Sequence, residues 1–160
     1  MDEVTKNKPE ISEFNSVDPA PPMDIDSIPA LCITLCNENE RMFLRMRALF
    51  ALRNIGGNDA IDALVKGFSS KSALLKHEIA YVLGQMQDNH AIPALISRLS
   101  DLEEEEVVRH EAAEAIGAIG DKTCYDVLEK FLDDESIIVA ESCEVSIDLL
   151  NWVSSNSFEY

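Results

Sequence analysis

The stretch Lys76-His77-Glu78-Ile79-Ala80-Tyr81-Val82-Leu83-Gly84 has an echo in Arg109-His110-Glu111-Ala112-Ala113-Glu114-Ala115-Ile116-Gly117. Each opens on a cation, a histidine and a glutamate, continues as an apolar helical face, and reaches a glycine seven residues after the histidine. The two histidines are 33 residues apart in a chain that has three. Histidine followed by a carboxylate, placed twice at one position of a repeat, is the layout of a metal site.

The repeat extends in both directions. Ile55-Gly56 aligns with Met86-Gln87 and with Ile119-Gly120, and nine positions before each first member stand Met46-Arg47, His77-Glu78 and His110-Glu111. Ala140-Glu141 is the nearest match further on, so the spacings are 31, 33 and 30 residues. Such a period marks stacked helix pairs, in which each pair buries one face on its neighbours. The sequence therefore predicts an all-α solenoid of four pairs: about 24–37 with 40–55, 58–68 with 72–87, 89–100 with 104–119, and 121–132 with 135–152. Asp24 and Ser72 are the expected N-caps of the first and fourth helices. Turns fall at Gly56-Gly57-Asn58-Asp59, Gln87-Asp88-Asn89 and Gly120-Asp121. Ile79, Val82, Leu83 and Met86 form a core-facing stripe. Ala112, Ala113, Ala115 and Ala118 leave room for a neighbouring helix. Gly84 and Gly117 each weaken a helix interior by about 1 kcal/mol, which close helix packing would explain.

Residues 1–23 differ in kind. They are polar and end in Ser16-Val17-Asp18-Pro19-Ala20-Pro21-Pro22-Met23, where proline removes donors and forbids helix. An extended, mobile leader or linker is expected there, followed by a repeat domain over 24–153 and a short tail over 154–160.

Composition narrows the function. A net charge of −17 repels nucleic-acid phosphates and argues against a nucleic-acid partner. It also suits a cationic partner, although solvated helix faces account for most of it. No run of 18 apolar residues offers a membrane span, and Met1-Asp2-Glu3-Val4-Thr5-Lys6 lacks the apolar core of a signal peptide. Cys32, Cys36, Cys124 and Cys143 show no secreted-type framework, which points to reduced thiols and an intracellular, cytoplasmic protein.

Adjacent helix residues point about 100° apart, so each His-Glu pair flanks a site. Packed helices lie about 8–10 Å apart, and two imidazoles reaching across can come within about 2.1 Å of one metal. A carboxylate of the same row supplies a hard oxygen. Two histidines and a carboxylate with open positions suit non-haem Fe(II) that activates dioxygen. No thiolate lies in the row, so structural zinc is not expected. His90 has no adjoining Glu and reads as structural. Glu103-Glu104-Glu105-Glu106 reads as a solvated acidic run at a helix start. Glu114 and Glu144, one turn below the row, are expected at the surface or just behind the ligands.

The runs Ser72–Gln87 and Val108–Gly120, with Arg47-Ala48-Leu49-Phe50-Ala51-Leu52-Arg53-Asn54 and Val139-Ala140-Glu141-Ser142-Cys143-Glu144-Val145, resemble deoxyhypusine hydroxylase over about residues 40–150. The resemblance implies a HEAT-like α-solenoid with two similar halves, four His-Glu motifs, and a pair of irons between the halves. It implies a monooxygenase that uses dioxygen to hydroxylate the deoxyhypusine side chain of a translation-factor precursor, completing hypusine. This chain has two His-Glu motifs. Its leader resembles the linker between halves, and its motifs are closer to the second half, so it is expected to be a C-terminal half. Position by position, His77, His110 and Glu111 match iron ligands, and Glu78 matches the glutamate that holds the cationic substrate. The implied cofactor is Fe(II), one of a diiron pair. The implied partners are the deoxyhypusine-bearing factor and a complementary N-terminal half or a second copy of this chain. Two other readings are a non-catalytic HEAT scaffold and a phycobilin-lyase-like repeat protein; neither needs iron.

Overall fold

The computed structural model describes residues 8–155, which contain eight α-helices and no strand. They form four pairs: α1 (Ile28–Cys36) with α2 (Met42–Ile55), α3 (Gly57–Lys66) with α4 (Ala73–Met86), α5 (Ile92–Ser100) with α6 (Glu106–Ile119), and α7 (Tyr125–Glu129) with α8 (Ile137–Ser154). Helices α4, α6 and α8 pack side by side as an inner row, with α2 ahead of them; α5 and α7 back α6 and α8. The expected all-α solenoid of four pairs is what forms. One continuous core runs through it, from Leu31, Leu35 and Phe50 through Leu64, Ile79 and Leu83 to Ile116, Cys143 and Leu150.

Local chemistry sets the boundaries. The Ser72 hydroxyl caps α4 by accepting from the Leu75 amide at 3.1 Å. Asp88 and Asp121 take the amides of His90 and Thr123, each at 2.9 Å, and start the single 3-10 turns that lead into α5 and α7. The three aligned positions Gly56, Gln87 and Gly120 all follow an inner helix and all have positive φ, at 70°, 51° and 83°. The sequence register is thus a structural register. Only Gln87 holds that conformation with a side chain, and its amide is tied to the Ala118 carbonyl at 2.9 Å.

Asp24 does not cap the first helix. Helix α1 starts at Ile28, with the Ser27 side chain accepting from the Ala30 amide and Pro29 in the first turn. A helix begun at Asp24 would carry Pro29 into its interior, where it lacks a donor and clashes with the preceding turn. In the first turn, proline costs nothing.

The leader from residue 8 is irregular, as expected, but it is not free of the fold. Arg53 has no exposed side-chain surface, and it pairs with Asp18 at 2.6 Å. The same guanidinium binds Gln85 at 2.9 Å and lies 4.4 Å from the Phe14 ring centroid. Arg47 donates to the carbonyls of Pro21 and Pro22, and Ala20 is buried. A charge on α2 that would otherwise be stranded in the core captures the leader. Leader residues 1–7, and tail residues 156–160 of the expected 154–160, lie outside the described residues.

The acidic run also departs from expectation. Glu104 is buried and bridges Lys76 and Arg98. Its place in the turn before α6 faces the cation near the start of α4. The equivalent cation Arg109 reaches Asp134, in the turn before α8, at 2.6 Å, and Arg45 reaches Ser70, in the turn before α4, at 3.0 Å. Each inner cation is thereby riveted to the next repeat.

Gly84 and Gly117 are sites of close approach. A Cβ on Gly84 would sit 3.0 Å from Ala115 Cα, and one on Gly117 would sit 2.7 Å from Ser146 Cβ and 3.0 Å from its Cα. Gly117→Ala gains about 1 kcal/mol of helix propensity and loses more by forcing α8 outward, since overpacking costs about 1–3 kcal/mol. A net loss of about 1 kcal/mol of stability, measured by urea unfolding, is expected, where an exposed helical Gly→Ala would gain. Asp18→Ala should lower stability by about 2–3 kcal/mol, below the range for a permanently buried pair because the leader can peel away and hydrate Arg53. Limited proteolysis should then cut near Phe14, a site protected in the parent protein.

Candidate metal centre

Helices α4 and α6 present their His-Glu pairs to one another across the groove set by Gly84. His77, His110 and Glu111 each offer a ligand atom, and the three atoms lie within 4.8 Å of one another. Donors held about 2.1 Å from one ion stand about 3.0 Å apart when adjacent and about 4.2 Å apart when opposite. His77 Nε2 is 3.1 Å from Glu111 Oε2, and His110 Nε2 is 4.0 Å from the same oxygen. Both spacings fall within that window. The imidazole centroids are 5.6 Å apart with planes tilted by 39°. Two nitrogens and a hard carboxylate oxygen, none of them sulfur, fit a divalent first-row ion with positions left for other ligands.

The surroundings fix the rings. His110 Nδ1 lies 3.3 Å from Ser142 Oγ and 3.4 Å from Glu114 Oε1. His77 Nδ1 has Glu78 Oε1 at 3.6 Å. Each histidine therefore turns Nδ1 toward a partner and Nε2 toward the centre of the site. Glu111 is buried, whereas Glu78, His77 and His110 are half-buried.

Charge is the strongest feature of the site. The hydrogen bond to Glu111, and after it that to Glu78, raises the His77 pKa from 6.5 to about 10, against the opposing effect of burial. Without metal, the proton on His77 is the cation that these carboxylates hold.

Of the other expected residues, His90 lies away from the centre and pairs with Asp62 at 2.7 Å. Glu144 is exposed. Glu114 lines, with Tyr81, Gly84, Gln85, Gln87, Glu111 and others, a cleft of about 330 Å³ running along the α4–α6 groove. Ser142 of α8 was not singled out by the motif. Its signal was available: it stands two residues after Ala140, the position that aligns with the histidines.

The family model for HEAT repeats matches residues 66–147, and that for the PBS lyase HEAT-like repeat matches residues 44–70. The chain belongs to the HEAT-repeat family. Among curated HEAT-repeat relatives, the deoxyhypusine hydroxylase of Danio rerio is 45% identical over 158 residues, covering 99% of this chain and 52% of the relative. That of Homo sapiens is 42% identical over 153 residues, covering 96% and 51%. A solved structure of human deoxyhypusine hydroxylase in complex with glycerol superposes with a TM-score of 0.86 at 43% identity, covering 91% of this chain and 50% of that one. This HEAT-repeat chain spans about half the length of the curated relatives it matches.

The raised His77 pKa has a definite sign. It lies above the ordinary value of 6.5, so its stabilisation is complete below about pH 6.5 and is lost as pH rises through about 10. Nitrogen-15 NMR of the metal-free protein should find His77 protonated beyond pH 8. Glu111→Gln should bring its titration down furthest, and Glu78→Gln less. Divalent metal added at pH 8 should release a proton, read with a pH indicator.

Proposed function

We propose that this chain is the iron-binding half of a deoxyhypusine hydroxylase, acting on the deoxyhypusine side chain of a translation-factor precursor in the cytoplasm. The observation that carries the reading is the convergence of His77, His110 and Glu111 on one point between α4 and α6. Two inner repeats supply His-Glu where the first and last carry Met46-Arg47 and Ala140-Glu141. A purely structural scaffold gives no reason for that difference. The similarity to deoxyhypusine hydroxylases across nearly all of this chain supports that chemistry.

In this reading His77, His110 and Glu111 hold Fe(II), which when bound supplies the activation of dioxygen. Glu78 receives the substrate ammonium. Its half-buried carboxylate already faces a cation, the His77 imidazolium, and an arriving amine meets the same field. Glu111 and Glu114 extend that field along the α4–α6 cleft, which suits an elongated aliphatic amine. The four cysteines are unpaired, in keeping with a reducing compartment, and no described helix is long and apolar enough to cross a membrane.

Three ligands serve one ion. A two-metal site needs a second set about 3.5–4 Å away, and His90, the remaining histidine, is paired with Asp62 instead. A complementary half, or a second copy related by a twofold axis, would bring that set.

His77→Ala, His110→Ala and Glu111→Ala should each abolish iron retention, measured by metal analysis after anaerobic loading. Glu78→Ala should retain iron and lose binding of the deoxyhypusine-bearing factor. The chain alone should hold at most one iron per monomer and turn over only when mixed with a separately expressed complementary half. Robust hydroxylation by a proven monomer under air would overturn the half-site, and a parent chain that never retains iron would favour the scaffold.

A further inference from the structure

The fourth repeat carries Ala140-Glu141 where the inner repeats carry His-Glu, yet it reaches the His110 ring through a hydroxyl. Ser142 is buried on the face of α8 that meets α6, and its Oγ donates to Glu114 Oε1 at 3.1 Å. A hydroxyl whose proton is given to a carboxylate offers only lone pairs to its other neighbour. That neighbour is His110 Nδ1, at 3.3 Å. We propose that Ser142 is a positioning residue that fixes His110 as the Nδ1–H tautomer and turns the Nε2 lone pair toward the shared site; this rests on the metal-binding reading above.

Three features favour the assignment over an incidental contact. Glu114 stands one turn after His110 on α6, so one carboxylate oxygen reaches both Ser142 and His110 Nδ1, the latter at 3.4 Å. Helix α8 carries no Lys or Arg that could pair with this carboxylate, which accepts from Ser142 Oγ and stands 3.4 Å from His110 Nδ1. Ser142 also cannot drift away. One turn further along α8, Ser146 donates to the Ala113 carbonyl at 2.8 Å and fills the space left by the missing Cβ of Gly117. The two serines therefore hold α8 against α6 at hydroxyl-bonding distance. Both histidines have a glutamate of their own helix beside Nδ1, and His110 has in addition a hydroxyl from the next repeat.

The test uses the full chain and Co(II) as the probe, titrated anaerobically and read by visible absorption. Ser142→Ala should weaken Co(II) binding by roughly 10- to 100-fold, the usual penalty for losing a partner behind a metal-bound histidine. Its far-UV circular dichroism and thermal midpoint should stay close to those of the parent. Ser142→Thr, which keeps the hydroxyl, should restore affinity. Independently of metal, the nitrogen-15 shifts of His110 should report the Nδ1–H tautomer in the parent and a mixture with Nε2–H in Ser142→Ala. Unchanged affinity in Ser142→Ala, or an unchanged tautomer, overturns the proposal. A parent chain that binds no Co(II) while the tautomer responds as expected would leave the role of Ser142 standing and sink the metal reading.

Discussion

Two missing methyl groups set the spacing of the inner helices, and the meeting of the two His-Glu pairs follows from that spacing. Where Gly84 faces Ala115 and Gly117 faces Ser146, a Cβ would stand 3.0 Å or less from the opposing chain. Helices commonly pack about 8–10 Å apart, with small residues giving the shorter distances. At the shorter end, side chains the length of His and Glu span the groove and meet. Two turns toward the helix starts, His77 and Glu111 do so at 3.1 Å. Each glycine sits seven residues after its histidine because the spacer and the ligand must lie on the same face of one helix.

Spacing alone leaves each helix free to rotate about its axis. The cations before the site row remove that freedom. Arg45, Lys76 and Arg109 each stand fourth in an inner helix and each reach the turn that precedes the next one, at Ser70, Glu104 and Asp134. Arg45 and Arg109 also donate to the carbonyls of Leu35 and Leu99 at the ends of their own outer helices. A residue and its successor point about 100° apart. Fixing Lys76 or Arg109 toward the next repeat therefore aims His77 or His110 into the groove, so one dipeptide serves both stacking and chemistry.

Periodicity carried most of the fold, because helix pairs, caps and glycine contacts are local or repeat at a fixed interval. The aligned Gly56, Gln87 and Gly120 illustrate this, sharing positive φ although one of them is not glycine. What periodicity could not reach were pairings made once, between unlike segments. The Asp18–Arg53 pair joins an irregular leader to a helix 35 positions later, and nothing in either segment marks the other. Glu104 lies in a run of four identical acids, of which only one turns inward. Ser142 could be placed near the row by its register, two residues after Ala140, but its bond to the His110 ring could not be read from the repeat. Within the site, the pattern named the residues that meet, whereas the orienting hydroxyl depends on how closely α8 stacks.

The acidity of the centre has a consequence for how it can be loaded. Glu111 and Glu78 hold a proton on His77 with a pKa raised to about 10, so at neutral pH the empty site is shielded by its own imidazolium. A divalent ion at these residues would compete with that proton, so its apparent affinity would fall as pH drops below the raised His77 pKa. The same proton keeps the buried Glu111 paired in the metal-free fold, where a bare carboxylate would be costly. In the metal-binding reading, loading would therefore exchange the His77 proton for an ion that Glu111 also faces. A glutamate beside each histidine suits that exchange, because an anionic neighbour stabilises first the imidazolium and then a divalent ion, and a neutral imidazole in its place would stabilise either less.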